Sequence, residues 1–162
     1  VEICTEIGID RVIPWASQRA IVQWKGPKAE KGRAKWEGVA RAAAKQSRRA
    51  YVPVVDAVAD SRELASWVRA LTDEAGVAFV CYEEATQSLG AALARVQGDA
   101  TDGSLPARVA LIVGPEGGIG PEETAQLVDA GARIVGLGAN VLRSSTAGAV
   151  ALTLIRAAAG AY

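Results

Sequence analysis

Short apolar runs alternate with longer helical stretches along the whole chain. The runs Val77–Cys81 and Ala110–Val113 are continuously apolar, as expected of strands covered on both faces of a parallel sheet. This alternation predicts an α/β fold of three layers with a mainly parallel sheet. The predicted strands are Asp10–Trp15, Ala20–Trp24, Val52–Val58, Val77–Tyr82, Arg108–Val113 and Arg133–Leu137, and the predicted helices are Pro27–Ser47, Ser61–Ala75, Thr86–Val96, Pro121–Ala130 and Thr146–Ala159.

Residues that begin or end helices stand at several predicted boundaries. Ser61 can cap the helix that follows it, and Gly76 then ends that helix. Pro121 occupies a first-turn position, with Glu122 and Glu123 beside the positive end of the helix dipole. At the last predicted helix, capping side chains are offered by Ser144, Ser145 and Thr146.

The composition is that of one folded domain. The chain has 162 residues, of which 50% are apolar, and 18 basic side chains balance 18 acidic ones. No apolar run approaches the roughly 20 residues of a membrane span, so we expect no membrane partner. The chain starts at Val1 rather than Met, and Glu2–Gly8 reads as the end of a helix, which predicts that an N-terminal part is missing.

The lack of histidine and the small number of cysteines exclude several kinds of catalytic and metal site. The chain has no histidine, which excludes His-based catalytic triads and His-ligated metals. Cys4 and Cys81 are its two cysteines and lie far apart, which argues against a disulfide framework or a thiolate zinc site. We therefore expect no bound metal, a cytoplasmic location, and a core rather than a reactive role for Cys81.

Charge is distributed unevenly. The segment from Arg11 to Arg49 carries eleven basic and two acidic residues, whereas the segment from Asp56 to Asp129 carries thirteen acidic and four basic ones. A positive surface of this kind can bind a polyanion, because neutralised phosphates release counterions. A solvated helix face explains the charge equally well. Trp24 and Trp36 lie in the basic segment, where they can stack on bases or belong to the core.

A glycine- and proline-rich loop follows the predicted strand that ends at Val113. It reads Gly114-Pro115-Glu116-Gly117-Gly118-Ile119-Gly120-Pro121, and such a loop lets a ligand approach main-chain atoms closely. The loop matches neither the Walker nor the dinucleotide fingerprint. Its Glu116 carboxylate disfavours phosphate and favours a ligand with hydroxyls, an amino group or a positive charge. A plain tight turn is the alternative interpretation.

A second loop with glycines follows the predicted strand that ends at Leu137. Gly138 opens the loop, Val141 and Leu142 follow, and Arg143 stands directly before the last helix. Ligands of open parallel sheets bind beyond the carboxyl ends of strands, where both loops are expected to lie. Arg143 is therefore a candidate for contact with an anion or a base.

These two loops together resemble the signature of the SPOUT methyltransferases, and more narrowly that of the small-subunit ribosomal RNA methyltransferase E family. The matching residues are Gly114-Pro115-Glu116-Gly117-Gly118 and Leu137-Gly138-x-x-x-Leu142-Arg143-x-x-Thr146-Ala147. Further similarity lies upstream, in Thr5-Glu6-Ile7-Gly8-Ile9, in Arg33-x-x-Trp36, and in Ala43-x-x-Gln46-Ser47-x-Arg49-x-x-Val52-Pro53. The resemblance spans nearly the whole chain.

The resemblance implies a fold and an activity. Members of the family have a parallel sheet whose C-terminal segment forms a trefoil knot, bind S-adenosylmethionine there, and pair as homodimers. They methylate N3 of a uridine in 16S rRNA of the small ribosomal subunit. Residues 1–162 would be the methyltransferase domain, without the family's N-terminal barrel-like (PUA-like) RNA-binding domain. The Ala-rich helix Thr146–Ala159 is apolar on more than one face, which suits burial or a dimer interface.

The resemblance also implies roles for individual residues. Arg143, Arg49 and Glu116 are the candidate catalytic residues, since uridine N3 must lose a proton and needs a base or a cation that stabilises the anion. Gln46, Arg48 and Arg49 are the candidate RNA contacts. Ser145 stands where the family frequently has Glu. The expected cofactor-binding residues are Gly114, Pro115, Glu116, Gly117, Gly118, Leu137, Gly138, Leu142, Arg143, Ser144, Ser145 and Ala147.

Other interpretations stay open at this point. Arg49 can simply cap the helix before it, and Glu116 can simply bond neighbouring N–H groups. A SPOUT ribose 2′-O-methyltransferase is the nearest alternative enzyme. A non-catalytic RNA-binding or ribosome-assembly factor with the same fold is a second alternative, and a nucleotide-binding α/β module is a third.

Overall fold

A computed structural model describes the whole chain, Val1–Tyr162. Six helices and five short strands follow one another, and the predicted alternation is confirmed. The helices are α1 (Glu2–Ile7), α2 (Pro27–Gln46), α3 (Ser61–Asp73), α4 (Leu89–Asp99), α5 (Pro121–Asp129) and α6 (Ser144–Ala158), and the strands are β1 (Arg11–Val12), β2 (Val54–Val55), β3 (Val77–Cys81), β4 (Val109–Val113) and β5 (Arg133–Val135).

The strands form two parallel sheets rather than one. β1 pairs with β2, and β3 lies at the centre of a three-stranded sheet of order β4-β3-β5. Since successive side chains of a strand point to opposite faces, Ala78 and Val80 pack towards α3 and α5, while Val77 and Phe79 pack towards α4 and α6. Helices therefore cover both faces of the larger sheet, which confirms the three-layer α/β prediction.

The prediction of a strand over Ala20–Trp24 was wrong. The segment has no regular structure beyond a bend at Ile21 and Val22, both of which are exposed. A run of apolar residues forms a strand only if a neighbouring strand supplies hydrogen bonds to its backbone. No strand pairs with this segment. The strands predicted over Asp10–Trp15 and Val52–Val58 are real, but they shorten to β1 and β2.

The helix N-termini differ from the prediction in their caps. Asp60, not Ser61, caps α3: its carboxylate accepts from the N–H of Glu63, and the Glu63 carboxylate accepts from the N–H of Asp60. Ser61 is the first helical residue. Helix α4 begins three residues later than predicted, because Ser88 caps it.

Helix α6 begins at Ser144, two residues earlier than predicted, with Arg143 as its N-cap and without a side-chain cap. The prediction that Ser144, Ser145 and Thr146 cap this helix was therefore wrong. The helix packs against α1, α4 and β4. None of the helices is long and apolar enough to cross a membrane.

Candidate functional site

The two predicted loops lie at the same edge of the larger sheet. β4 and β5 are both parallel to β3, so the chain leaves Val113 and Val135 at the same end. The two strands are not neighbours in the sheet, because β3 lies between them. A hydrogen bond nevertheless joins the loops: Ser144 Oγ donates to Glu116 Oε1 at 2.8 Å.

The glycines of the first loop permit close packing within the protein. A Cβ on Gly114 would lie 2.6 Å from Ile119 Cγ1, and a Cβ on Gly117 would lie 2.9 Å from the carbonyl oxygen of Arg19. Gly118 has a φ of +73°, which favours glycine. The loop 114–118 is thus held between the buried Ile119 and the segment containing Arg19.

The second loop presents unpaired main-chain donors. None of the N–H groups of residues 137–145 donates to a backbone carbonyl, and α6 has no side-chain cap. Gly138 has a φ of +126°, and a Cβ there would meet no atom within 4 Å. Residues 138–141 are exposed. This loop therefore offers hydrogen-bond donors beside open space.

Glu116 and Arg143 are the charged residues at this edge of the sheet that the sequence predicts to be catalytic. Both side chains are exposed, and Arg143 forms no ion pair. The carboxylate of Glu116 accepts hydrogen bonds from the backbone N–H of Glu116 and from the hydroxyl of Ser144, and these bonds lower the pKa of Glu116. The carboxylate is consequently ionised at neutral pH and accepts hydrogen bonds.

The guanidinium of Arg49 binds the end of α1 rather than the end of α2. Its guanidinium donates to the carbonyl oxygens of Thr5 and Ile9 and to the carboxylate of Asp10, the last at 3.0 Å. Its side chain is 12% exposed and lies 5.2 Å from the ring of Tyr51. The backbone N–H of Arg49 does bond the carbonyl oxygen of Ala44 in the last turn of α2, but its guanidinium satisfies carbonyls at the end of α1 instead of capping that helix. Gln46 and Arg48, beside it, are exposed.

Glu123 is an important residue that the sequence analysis placed only as a helix-dipole partner. Its side chain is completely buried, and its carboxylate accepts from the N–H of Gln18, the N–H of Gly120 and the hydroxyl of Ser61. It thus ties the segment around Gln18 to the starts of α3 and α5. The signal was present in the sequence, since Glu at the third helical position commonly bonds the N-cap N–H.

Cys81 is confirmed as a largely buried side chain. It lies at the end of β3, between Val113 of β4 and Val135 of β5. Burial raises its pKa to about 12. No group of three or more acidic or cysteine side chains is placed to hold a metal ion.

Known proteins are similar to this chain in sequence and in fold. A family described as "RNA methyltransferase domain" matches residues 1–156. The chain is 44% identical over 152 residues to the ribosomal RNA small subunit methyltransferase E of Mycobacterium bovis, covering 94% of this chain and 55% of that protein. The protein of the same name from Bacillus subtilis is 32% identical, with 93% of this chain and 57% of that protein covered.

A solved structure is also similar. The ribosomal RNA small subunit methyltransferase E of Neisseria gonorrhoeae, bound to S-adenosyl methionine, superposes with a TM-score of 0.77 at 27% identity, covering 96% of this chain and 58% of that one. The three-layer fold is therefore that of a methyltransferase domain. The chain belongs to the RNA methyltransferase domain family. It spans about half the length of the curated relatives it matches.

Proposed function

We propose that this chain is the catalytic domain of an S-adenosylmethionine-dependent methyltransferase that modifies N3 of a specific uridine in 16S rRNA. The hydrogen bond between Ser144 and Glu116 carries the proposal, because it makes one site out of the two loops that the resemblance assigns to the cofactor. The relatives named above are ribosomal RNA small subunit methyltransferases, and one of them is bound to S-adenosyl methionine.

The residues present fit such a cofactor. The unpaired N–H groups of residues 137–145 can donate to its carboxylate, ribose and adenine acceptors, and the open space at Gly138 lets it approach the backbone. Glu116 offers a negative charge to its ammonium and sulfonium groups. We assign its binding to Gly114, Pro115, Glu116, Gly117, Gly118, Leu137, Gly138, Leu142, Arg143, Ser144, Ser145 and Ala147.

When bound, the cofactor supplies an electrophilic methyl group on a sulfonium. This chain must place uridine N3 in line with that methyl group and manage the N3 proton. Arg143 is exposed and free of ion pairs, so its guanidinium can stabilise the uridine anion. Glu116 is ionised and can accept the N3–H hydrogen bond, although its lowered pKa makes it a weak proton acceptor. We assign Arg143 the larger catalytic role.

The end of α2 is the second region of the proposed site. Gln46 and Arg48 are exposed there and can contact RNA. The guanidinium of Arg49 donates to three acceptors. A residue held in this way can order the RNA-binding surface, and it can also contact a phosphate of the RNA. To act in catalysis, the Arg49 guanidinium must either leave these three acceptors or contact the substrate in addition to them.

The fold proposed for the C-terminal segment is the trefoil knot of the SPOUT methyltransferases. Support comes from the path of the chain: after β5 it reaches across to β4, where Gly148 of α6 lies near Val113 Cγ2 and Cys4 Sγ. A homodimer is proposed as well, since Ile3, Leu154 and Tyr162 are exposed on or beside α1 and α6. The proposed place of action is the cytoplasm, where ribosomal subunits are the substrate.

Two measurements test the proposed function. Calorimetry should detect micromolar binding of S-adenosylmethionine and none of NAD or ATP; binding of none of the three would favour a non-catalytic RNA-binding factor. A mass-spectrometric map of methylated nucleotides in 16S rRNA, with and without the intact gene product, should show one N3-methyluridine that depends on it. A 2′-O-methyl mark in its place would make the chain a ribose methyltransferase.

A further inference from the structure

A cavity of about 200 Å³ adjoins the first glycine loop, which contributes Glu116 to its lining. It is lined by residues of the segment from Pro14 to Trp24, by Val58, and by Trp36 of α2, and three of the lining residues are tryptophans. Its volume is below the roughly 300–1,000 Å³ of sites for drug-sized ligands, so it suits a single ring.

The tryptophan walls are held in place by specific contacts. Trp15 Nε1 donates to Ser61 Oγ at 3.1 Å, and the rings of Trp24 and Trp36 meet edge to face with centroids 4.9 Å apart. Gly32 of α2 is required for this packing, since a Cβ there would lie 2.6 Å from the ring of Trp24. The aromatic surface is therefore built into the fold.

Glu116 is the charged residue that lines this cavity. The same carboxylate accepts from Ser144 at the start of α6. A ring in the cavity would thus lie beside the loops assigned to the cofactor. An ionised carboxylate selects a ring that carries an N–H donor.

Two lysines lie on the face of α2 that carries Trp36, one of the residues lining the cavity. Lys28 and Lys35 of α2 are exposed and form no ion pair. At 100° per residue they project from the same half of the helix as Gly32 and Trp36. A ligand with a planar ring that can stack, an N–H donor and flanking negative charges matches this arrangement, and an unpaired pyrimidine nucleotide of RNA has these properties.

We propose that this cavity receives an unpaired pyrimidine base of the substrate RNA, an inference that rests on the proposed function. The base lies against the tryptophans with an N–H towards Glu116, and neighbouring phosphates contact Lys28 and Lys35. Enzymes that modify a base commonly take it out of the stack and hold it between aromatic or apolar side chains. Aromatic stacking of one base affects affinity by about fivefold to a hundredfold.

Photo-crosslinking tests the cavity directly. The whole chain is irradiated with a short oligouridylate that carries one 4-thiouridine, and the tryptic peptides are mapped by mass spectrometry. We expect the crosslinks in peptides 20–25 and 36–41, which contain Trp24 and Trp36. Ala20→Trp fills the cavity and should lower the affinity for the oligonucleotide at least fivefold. Ala161→Trp adds the same indole at the exposed C-terminus and should leave it unchanged.

Trp24→Leu is the second variant, since it removes one wall without adding bulk and should lower the affinity to a similar extent. Circular dichroism and S-adenosylmethionine calorimetry on every variant show whether the fold and the cofactor site persist. Crosslinks confined to other peptides, or undiminished RNA affinity in folded Ala20→Trp and Trp24→Leu, would overturn the base site. Absent cofactor binding by the unsubstituted chain would instead count against the proposed function.

Discussion

The hydroxyl of Ser144 donates to the carboxylate of Glu116 at 2.8 Å, across 28 residues of sequence. The two residues follow strands that β3 separates, and this contact joins the two glycine loops at one edge of the sheet.

Ser144→Ala should weaken the binding of S-adenosylmethionine about threefold to tenfold, because one hydrogen bond that aligns the two loops is lost. Calorimetry measures the effect. Ser66→Ala removes a hydroxyl that donates only within α3 and should leave the affinity unchanged. Equal affinities of Ser144→Ala and the unsubstituted chain would show that the loops are aligned without this contact.

Arg143→Ala should lower methyl transfer about a hundredfold or more while the fold persists, since a preorganised cation at the developing anion is lost. Single-turnover transfer to 16S rRNA by the complete gene product measures this. Arg95 is exposed on α4, and Arg95→Ala is the matched control. Transfer at the unsubstituted rate would remove Arg143 from the mechanism.

Arg49→Ala should lower the free energy of unfolding by about 2–3 kcal/mol, because the carbonyls of Thr5 and Ile9 and the carboxylate of Asp10 lose their donor. Urea denaturation gives the value. The neighbouring Arg48 is exposed, and Arg48→Ala should change stability by less than about 0.5 kcal/mol. If Arg49→Ala is as stable as Arg48→Ala yet inactive, the residue acts in catalysis instead.

Glu123→Gln should lower the free energy of unfolding by about 2–4 kcal/mol. The amide NH2 that replaces one carboxylate oxygen is itself a donor, and it would face the buried donors of Gln18, Ser61 and Gly120. The exposed neighbour gives the control Glu122→Gln, which should lie within about 0.5 kcal/mol of the unsubstituted chain. Chemical denaturation of both variants under the same conditions decides the matter. A small effect at Glu123 would mean that the segment around Gln18 is held by other contacts.

Cys81 should resist alkylation in the native protein. With its pKa raised to about 12, its thiolate fraction at pH 8 is more than about a thousandfold below that of a free cysteine. The unfolded chain loses this proton at lower pH than the native one, so the contribution of Cys81 to stability declines as pH rises above the ordinary cysteine pKa. Alkylation rates with and without urea measure the protection, and rapid native labelling of Cys81 would contradict it.

The sequence predicts most accurately the elements whose structure one local property decides. β3 and β4 are continuously apolar and lie within the predicted ranges, and α2 ends one residue before the predicted boundary. The cap of α3 was misassigned by one residue, since both Asp60 and Ser61 can cap and only the geometry selects Asp60. The Ala20–Trp24 run failed because Trp24 packs on helix α2, Ile21 and Val22 are exposed, and no strand pairs with the run.

By itself, the sequence determined the α/β class, the two glycine loops beyond strand ends, and the family to which the chain belongs, because periodicity, glycine content and motif order are properties of consecutive residues. Only the tertiary structure decided that Glu116 meets Ser144, that Arg49 binds the end of α1, and that Glu123 joins three segments. These contacts depend on where strands β3 to β5 bring residues far apart in sequence, and that packing is set by the whole core rather than by any local pattern.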